Sequence, residues 1–390
     1  MKRSTERILT THTGSLARPK DLLELMGARL RGEPYDGGGY GPRVRSAVAD
    51  IVRQQAESGI DVLTDGEQSK SGFSVYVRER LSGFEPDPSA PAGRGLQWVQ
   101  ELSAFPEYYE RYFGRYMRSI APNIPLVCTA PVSYVGQAAV QADIDNLKAA
   151  LAGVRAEEVF MPSSAPRRLG RNAHYASDEE YVYAIADAMR SEYQVIAGAG
   201  FILQVDDPGL TDFYSQDPSS SLVERRKAAE MQIEALNHAL RGIPPEQVRY
   251  HTCYGINEGP RVFDTPLKDI VDLILKVNAG GYSFEAANPR HEHEWHVWEQ
   301  VKLPEGKILI PGVITHASNI VEHPEWIAER IIRYAKLVGR ENVIAGSDCG
   351  FSSQATPNPE VHPAVVWAKF QAMAEGARIA TNQLWGSGAG

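Results

Sequence analysis

His251 and Cys253 stand two residues apart in the segment YHTCYG. If that segment ends a β-strand, positions i and i+2 point to the same side, so a ring nitrogen and a sulfur face one point. Alone, such a pair is also compatible with plain core packing. Two more residues extend it: Glu285, closing the run YSFE, and Cys349, just past the run VIAGSD. Two thiolates, one imidazole and one carboxylate form a borderline-soft donor set that suits zinc better than magnesium or calcium. Closed structural zinc sites usually rely on local pairs such as CxxC, which this chain lacks. Ligands gathered from separate strand ends suit a catalytic centre better. Two alternatives stay open: Glu285 as a salt-bridge partner only, and a rival site in the cluster 290–296 (RHEHEWH). That cluster reads as a polar helix start whose side chains point in several directions.

The chemistry such a centre offers is thiol activation. A free thiol has a pKa of about 8.5 and is mostly protonated at neutral pH. Zinc binding removes the proton and leaves a nucleophilic thiolate, with no redox chemistry of the metal's own.

These residues need a scaffold that brings distant strand ends together. β-rich runs occur at 9–13, 60–65, 124–129, 157–161, 201–206, 247–252, 281–285, 308–313 and 343–348. Helical patterns lie between them. In 265–280, Thr265 can cap, Pro266 suits the first turn and Gly280 ends the pattern. In 177–198, Ser177 and Glu180 make a capping pair. In 324–339, Pro324 opens, Ile327, Ile331, Tyr334 and Val338 form a stripe, and Gly339 closes. Alternating strands and helices predict parallel pairing with right-handed crossovers. The expectation is a (β/α)8 TIM barrel with insertions, in one catalytic domain over 1–390; a doubly wound open sheet is the competing architecture. Nine runs exceed the eight a barrel needs, and 157–161 is taken as the extra one. In a barrel all strands finish on one face, where active sites lie.

Two segments interrupt the alternation. Residues 84–123 form an insertion with a Pro/Gly-rich start and an aromatic-rich continuation (Trp98, Phe105, Tyr108, Tyr109, Tyr112, Phe113, Tyr116), read as packing. Residues 351–363 read as a loop. No solenoid repeat and no interdomain linker is evident.

The 390 residues, 43% hydrophobic, can bury a large core. A net charge of -9 argues against a nucleic-acid surface. No apolar run reaches membrane-spanning length, and the start MKRSTERILTTHTGS has no apolar core of a secretory signal. Three cysteines, Cys128, Cys253 and Cys349, make no disulfide framework, so a reducing cytoplasm is the expected compartment.

As a set, YHTCYG, YSFEAANPRHEHEW, LIPGVITHASNIVEHP and GSDCG resemble the cobalamin-independent methionine synthase family. The likeness runs over the catalytic C-terminal barrel, across residues 5–385, with the long N-terminal half of the full-size enzyme missing. Within the superfamily the chain is similar to short single-barrel members, which include the epoxyalkane:coenzyme M transferases. The resemblance implies a (β/α)8 barrel with His251, Cys253, Glu285 and Cys349 as zinc ligands. It implies that Thr13, Gly14 and Ser15, in THTGS, hold a substrate carboxylate. Glu67, in TDGE, and Asp206, in QVDDP, match the carboxylates that meet the amino group of homocysteine. His316, in VITHAS, matches the proton-handling histidine. The stretch GLQWVQELSAFP departs from the folate-binding pattern of true methionine synthases, and the insertion 84–123 sits where the second substrate would approach.

The reading is a zinc-dependent transferase that moves a methyl or alkyl group onto homocysteine or a similar small thiol. The runner-up opens an epoxide with coenzyme M or another thiol, with Arg18 and Arg78 available for a sulfonate. A reading of another class is a zinc-stabilised binding protein without turnover.

Overall fold

The computed structural model describes residues 1–90, 99–116, 120–121, 124–211, 220–255 and 258–386. Eleven strands are present among them: β1 (Leu9–Thr10), β2 (Val62–Leu63), β3 (Leu81–Pro86), β4 (Leu126–Tyr134), β5 (Glu158–Ser164), β6 (Arg171–Asn172), β7 (Ile202–Asp206), β8 (Val248–Thr252), β9 (Gly281–Phe284), β10 (Ile308–Ile314) and β11 (Ile344–Ser347). Eight of them pair in parallel in the order β1-β11-β10-β9-β8-β7-β5-β2. The seam between β1 and β2 is bridged at its base. Asp61 N donates to the Thr10 carbonyl at 3.1 Å, and Thr10 N donates to Asp61 Oδ2 at 2.9 Å. The expected (β/α)8 barrel is the observed fold.

Side-chain alternation sorts the strands' residues into two sets. Ile8, Leu63, Met161, Leu203, Leu309, Val343 and Ala345 belong to the large cluster shared with the helices. Leu9, Ile308, Ile310 and Ile344, with Val62, Phe160 and Ile202, form two small clusters bridged by Met1, which fill the interior at its N-terminal end. Moving up from there, the inward positions turn polar: Thr11, Gln204 and Arg249, then Thr13, Asp206 and His251, all buried. The interior is thus apolar at the base and chemical at the top, the end where TIM-barrel active sites lie.

The strand taken as extra is corrected. Residues 157–161 belong to β5, a barrel stave buried from Phe160 onward. The extra run is 124–129, part of β4. It pairs antiparallel with β3 and parallel with β6 in a separate three-stranded sheet beside the barrel. The carboxylates that make 157–161 look unlike a core strand lie on the charged rim below the apolar interior clusters. There Glu157 pairs with Lys2 and Arg7, and Glu158 with the N-terminal amine.

Helices follow the sequence signals unevenly. Asp178–Gly198 is capped by Ser177, which accepts from Glu180 N at 3.1 Å. Pro324–Val338 begins on its proline and ends at Gly339, with φ 91°. The expected helix over 265–280 is far shorter: a 3₁₀ turn at Leu267–Asp269, then Val271–Lys276. Its stripe is rich in β-branched residues, which stiffen poorly into helix. The Thr265 hydroxyl donates to the Thr211 carbonyl instead of capping. No helix among the described residues is long and apolar enough to cross a membrane.

In the insertion, helices Val99–Ala104 and Pro106–Tyr116 carry an aromatic cluster of their own, in which Tyr109, Tyr112 and Phe113 bury one another. Trp98 lies outside the described residues. The helices reach the loops above the barrel. Glu101 accepts from Phe263 N at 3.0 Å, and the Tyr112 hydroxyl donates to Glu360 in the irregular segment after β11.

Candidate metal centre

β8 carries His251 to its end and Cys253 just beyond, on the inward side. Cys349 follows β11. Ligand atoms of the three residues lie within 4.8 Å of one another, and all three are buried. The two sulfurs are 3.1 Å apart. His251 Nδ1 is hydrogen-bonded to Asp206 Oδ1 at 2.9 Å, its register partner on β7. That bond fixes the ring and leaves Nε2, which is buried with no hydrogen-bond partner. A buried polar atom left in this way calls for a partner.

Electrostatics match the geometry. The hydrogen bond from Cys349 and the neighbouring His251 bring the Cys253 thiol down to about 6, against burial. Burial pulls His251 down, but the Cys253 thiolate and Asp206 outweigh it and hold the ring up at about 10. The Cys349 thiol is pushed well up by its bond to Cys253 and by burial.

Glu285 stands slightly apart. Its ligand oxygen groups with His316 and Asp348, again within 4.8 Å and buried. Oε1 accepts from Tyr254 N at 2.7 Å, and Oε2 accepts from the Asn288 amide and, at 3.5 Å, from Arg290. Tyr254 adjoins Cys253, and the Glu285 charge acts on both cysteines. The donor set fits zinc: two sulfurs and a buried ring nitrogen converge, a carboxylate lies beside them, and an outer carboxylate orients the histidine.

Asp348 and Asn288 were not singled out from the sequence. Asp348 Oδ1 accepts from Ala286 N and Ala287 N, both at 2.7 Å, while Oδ2 is buried and unpartnered. Gly312 makes room for it, since a Cβ there would lie 2.0 Å from Asp348 Oδ1. The available signal was its place directly before Cys349. His316 rests Nε2 against the Gly255 carbonyl at 3.3 Å, with Nδ1 buried and unpartnered. Burial lowers it to about 4, so its ring is neutral at physiological pH.

The residues matched to substrate binding gather beside this centre. Thr13 N and Oγ1 both meet Ser347 at 3.2 Å, and the Thr13 carbonyl accepts from Gln204 Nε2 at 2.5 Å. Ser15 Oγ lies 2.8 Å from Ser353 Oγ. Glu67 has the left-handed φ of 57° and is buried. A Cβ on Gly14 would sit 3.3 Å from Glu67 Oε1, so the loop and the carboxylate are neighbours. Burial raises Glu67, with Lys70 and Arg18 opposing and Asp206 adding to the rise. Asp206 serves His251 as well as facing Glu67, a role the sequence did not reveal.

One expectation changes. Arg18 is not available to a sulfonate. It is buried, and its terminal nitrogens donate to the carbonyls of Leu16, Ser352, Glu67 and Lys70 at 3.4, 2.6, 2.7 and 2.9 Å. Arg78 donates to the Ile124 carbonyl at 2.8 Å. The cluster 290–296 is no rival centre. His291 is held between Asp264 and Glu294 at 3.1 and 2.9 Å and stacks on Tyr254, whereas His293 and His296 face solvent.

Residues 139–372 match the model of the cobalamin-independent synthase catalytic domain. The chain belongs to the cobalamin-independent methionine synthase family. Among relatives, a methionine synthase of Thermococcus kodakarensis is 21% identical over 384 residues, covering 96% of this chain and 94% of its own length. A 5-methyltetrahydropteroyltriglutamate–homocysteine methyltransferase of Streptomyces avermitilis is 24% identical over 354 residues, 89% of this chain but 40% of the relative. The family's barrel is also seen in a B12-independent methionine synthase from Shewanella sp. W3-18-1, solved in complex with selenomethionine. It superposes with a TM-score of 0.71 at 21% identity, covering 97% of this chain and 99% of that one.

Proposed function

We propose that this protein is a zinc-dependent transferase that moves a methyl group onto homocysteine or a closely similar small thiol. The observation that carries the reading is the His251 ring. Its Nδ1 is tied to Asp206, and its Nε2 is buried without a partner beside the sulfurs of Cys253 and Cys349. His251, Cys253 and Cys349, with Glu285, would hold the metal. Zinc bound there supplies a Lewis acid that keeps a substrate thiol deprotonated at neutral pH.

The protein's own groups supply the rest. Thr13, Gly14 and Ser15 receive the carboxylate of an amino-acid thiol, and Glu67 with Asp206 receives its amino group. Two carboxylates beside a carboxylate-binding loop match a zwitterion, which favours homocysteine over a sulfonated thiol. His316, neutral at the start, accepts the proton that the substrate thiol loses and returns it to the departing group. The insertion helices, resting on the loops of Phe263 and Glu360, face the side from which the alkyl donor arrives. A reducing cytoplasm keeps both ligand cysteines free.

A thiol-consumption screen on zinc-loaded protein tests this. It pairs homocysteine, coenzyme M and glutathione with methyl donors and small epoxides. Methyl transfer to homocysteine is expected. Turnover confined to coenzyme M with epoxides replaces this reading with the epoxide-opening one, and zinc binding with no thiol consumed leaves a binding protein.

A further inference from the structure

A guanidinium fills the barrel's middle. Arg249 is fully buried on β8, two residues below His251 and facing the same way. Its ring neighbour is Phe160, 3.8 Å from the guanidinium carbon to the ring centroid. Burying such a charge is costly unless its hydrogen bonds are met, and here they are. Nε donates to Gln204 Oε1 at 2.6 Å, Nη1 to Thr11 Oγ1 at 2.9 Å, and Nη2 to the His12 carbonyl.

Two of these contacts lead on to the site. Gln204 Nε2 donates to Asp206 Oδ1 at 2.7 Å and to the Thr13 carbonyl at 2.5 Å. Asp206 Oδ1 holds His251 Nδ1, and His12 Nδ1 accepts from Gly14 N at 3.2 Å. β7 and β8 place these groups in two registered layers, Gln204 beside Arg249 and Asp206 beside His251. One planar fork therefore ties the loop 11–14 to the orientation of His251. Lysine could not do the same, having a point charge without fixed donor directions. Burial lowers Arg249 only to about 9, so it stays charged at neutral pH.

We propose that Arg249 is a positioning residue that sets, through Gln204, the mutual geometry of the metal ligand His251 and the thiol-binding loop at Thr13 and Gly14. This rests on the function proposed above. The two fail separately: wild-type protein that neither binds zinc nor consumes homocysteine defeats that function, whereas the inference is judged on variants of a wild type that does both.

The variants are Arg249→Met, Gln204→Leu and Ile308→Val. The measurements are zinc affinity by chelator competition, the absorption of the cobalt-substituted protein, homocysteine KM and kcat, and thermal unfolding. Losing an outer partner of a metal ligand, here Asp206, weakens metal affinity by roughly 10–100-fold. Gln204→Leu and Arg249→Met act one and two hydrogen bonds further out, and a loss of up to about 10-fold, the lower end of that range, is expected for each. Homocysteine KM should rise more than kcat falls, and the cobalt bands should shift. Ile308→Val trims the apolar cluster at the barrel's base, below the Arg249 layer, and should leave metal affinity and KM unchanged. If Arg249→Met does not fold, Gln204→Leu decides, since it cuts both upward links with Arg249 in place. A folded variant with lowered thermal stability but wild-type zinc affinity, cobalt spectrum and KM overturns the proposal.

Discussion

Cys253 and Cys349 come from strands β8 and β11, which β9 and β10 separate in the barrel, yet their sulfurs approach to 3.1 Å. Between them and His251 the protein without metal holds protons that a cation must displace. Protein purified without added metal should carry about one zinc per chain, the number one four-donor set can hold. Cys253→Ser and Cys349→Ser should each lose it, and elemental analysis decides. Affinity should strengthen as pH rises, because the raised Cys349 and His251 groups must give up their protons on binding. A chelator titration that is flat between pH 6 and 8 contradicts this ligand set.

Methyltetrahydrofolate should be a poor or inactive donor. The stretch 95–106 departs from the folate-binding pattern, and within it Glu101 is engaged with the loop of Phe263. A steady-state assay with mono- and triglutamyl forms checks this, and efficient turnover with either form refutes it.

His316 should be needed for turnover but not for metal. With Nδ1 buried and unpartnered beside Asp348, its ring is placed to carry a proton. In His316→Asn, zinc content and thiol binding should stay normal while turnover falls by roughly 10²–10⁴-fold, the usual loss of a general acid–base group. Loss of zinc instead would make His316 a ligand, and unchanged turnover would remove its proposed role.

Docking of the insertion helices should weaken with rising pH. Burial raises Glu360 from 4.5 to about 7, although the hydrogen bond it accepts from Tyr112 pulls the other way. An acid raised in the docked state binds more protons there than when exposed. Stability of the docked state therefore falls as pH climbs from 4.5 to about 7 and is flat above. Hydrogen exchange in 99–116, corrected for intrinsic rates, should rise over that window in the wild type and not in Glu360→Gln. Equal pH dependence in both proteins would exclude Glu360 as the cause.

Much of the barrel was legible because each stave is a short buried run followed by a helical pattern. The site was legible for a related reason: His251 and Cys253 share one strand's inward face, and Glu285 and Cys349 sit at strand ends. The choice between β4 and β5 was not legible, because it depends on which distant segment pairs with each. IPLVCT looks more like core than EEVFM, yet β3 claims it. Asp348 and Asn288 escaped notice because their work is to hold the backbone of Ala286 and Ala287 and the carboxylate of Glu285, contacts made only after folding. The roles of Asp206 and Arg249 beneath the centre depend on the register of β7 against β8, which no local pattern encodes.

The aromatic cluster of Tyr109, Tyr112 and Phe113 is separate from the main core, and side chains such as Glu101 and Tyr112 join it to the barrel's loops. The insertion is therefore built as a replaceable part. Grafting a different segment between β3 and β4 would change what approaches from above without re-laying a single stave, so a lineage could alter that approach while inheriting the cluster of His251, Cys253 and Cys349 intact.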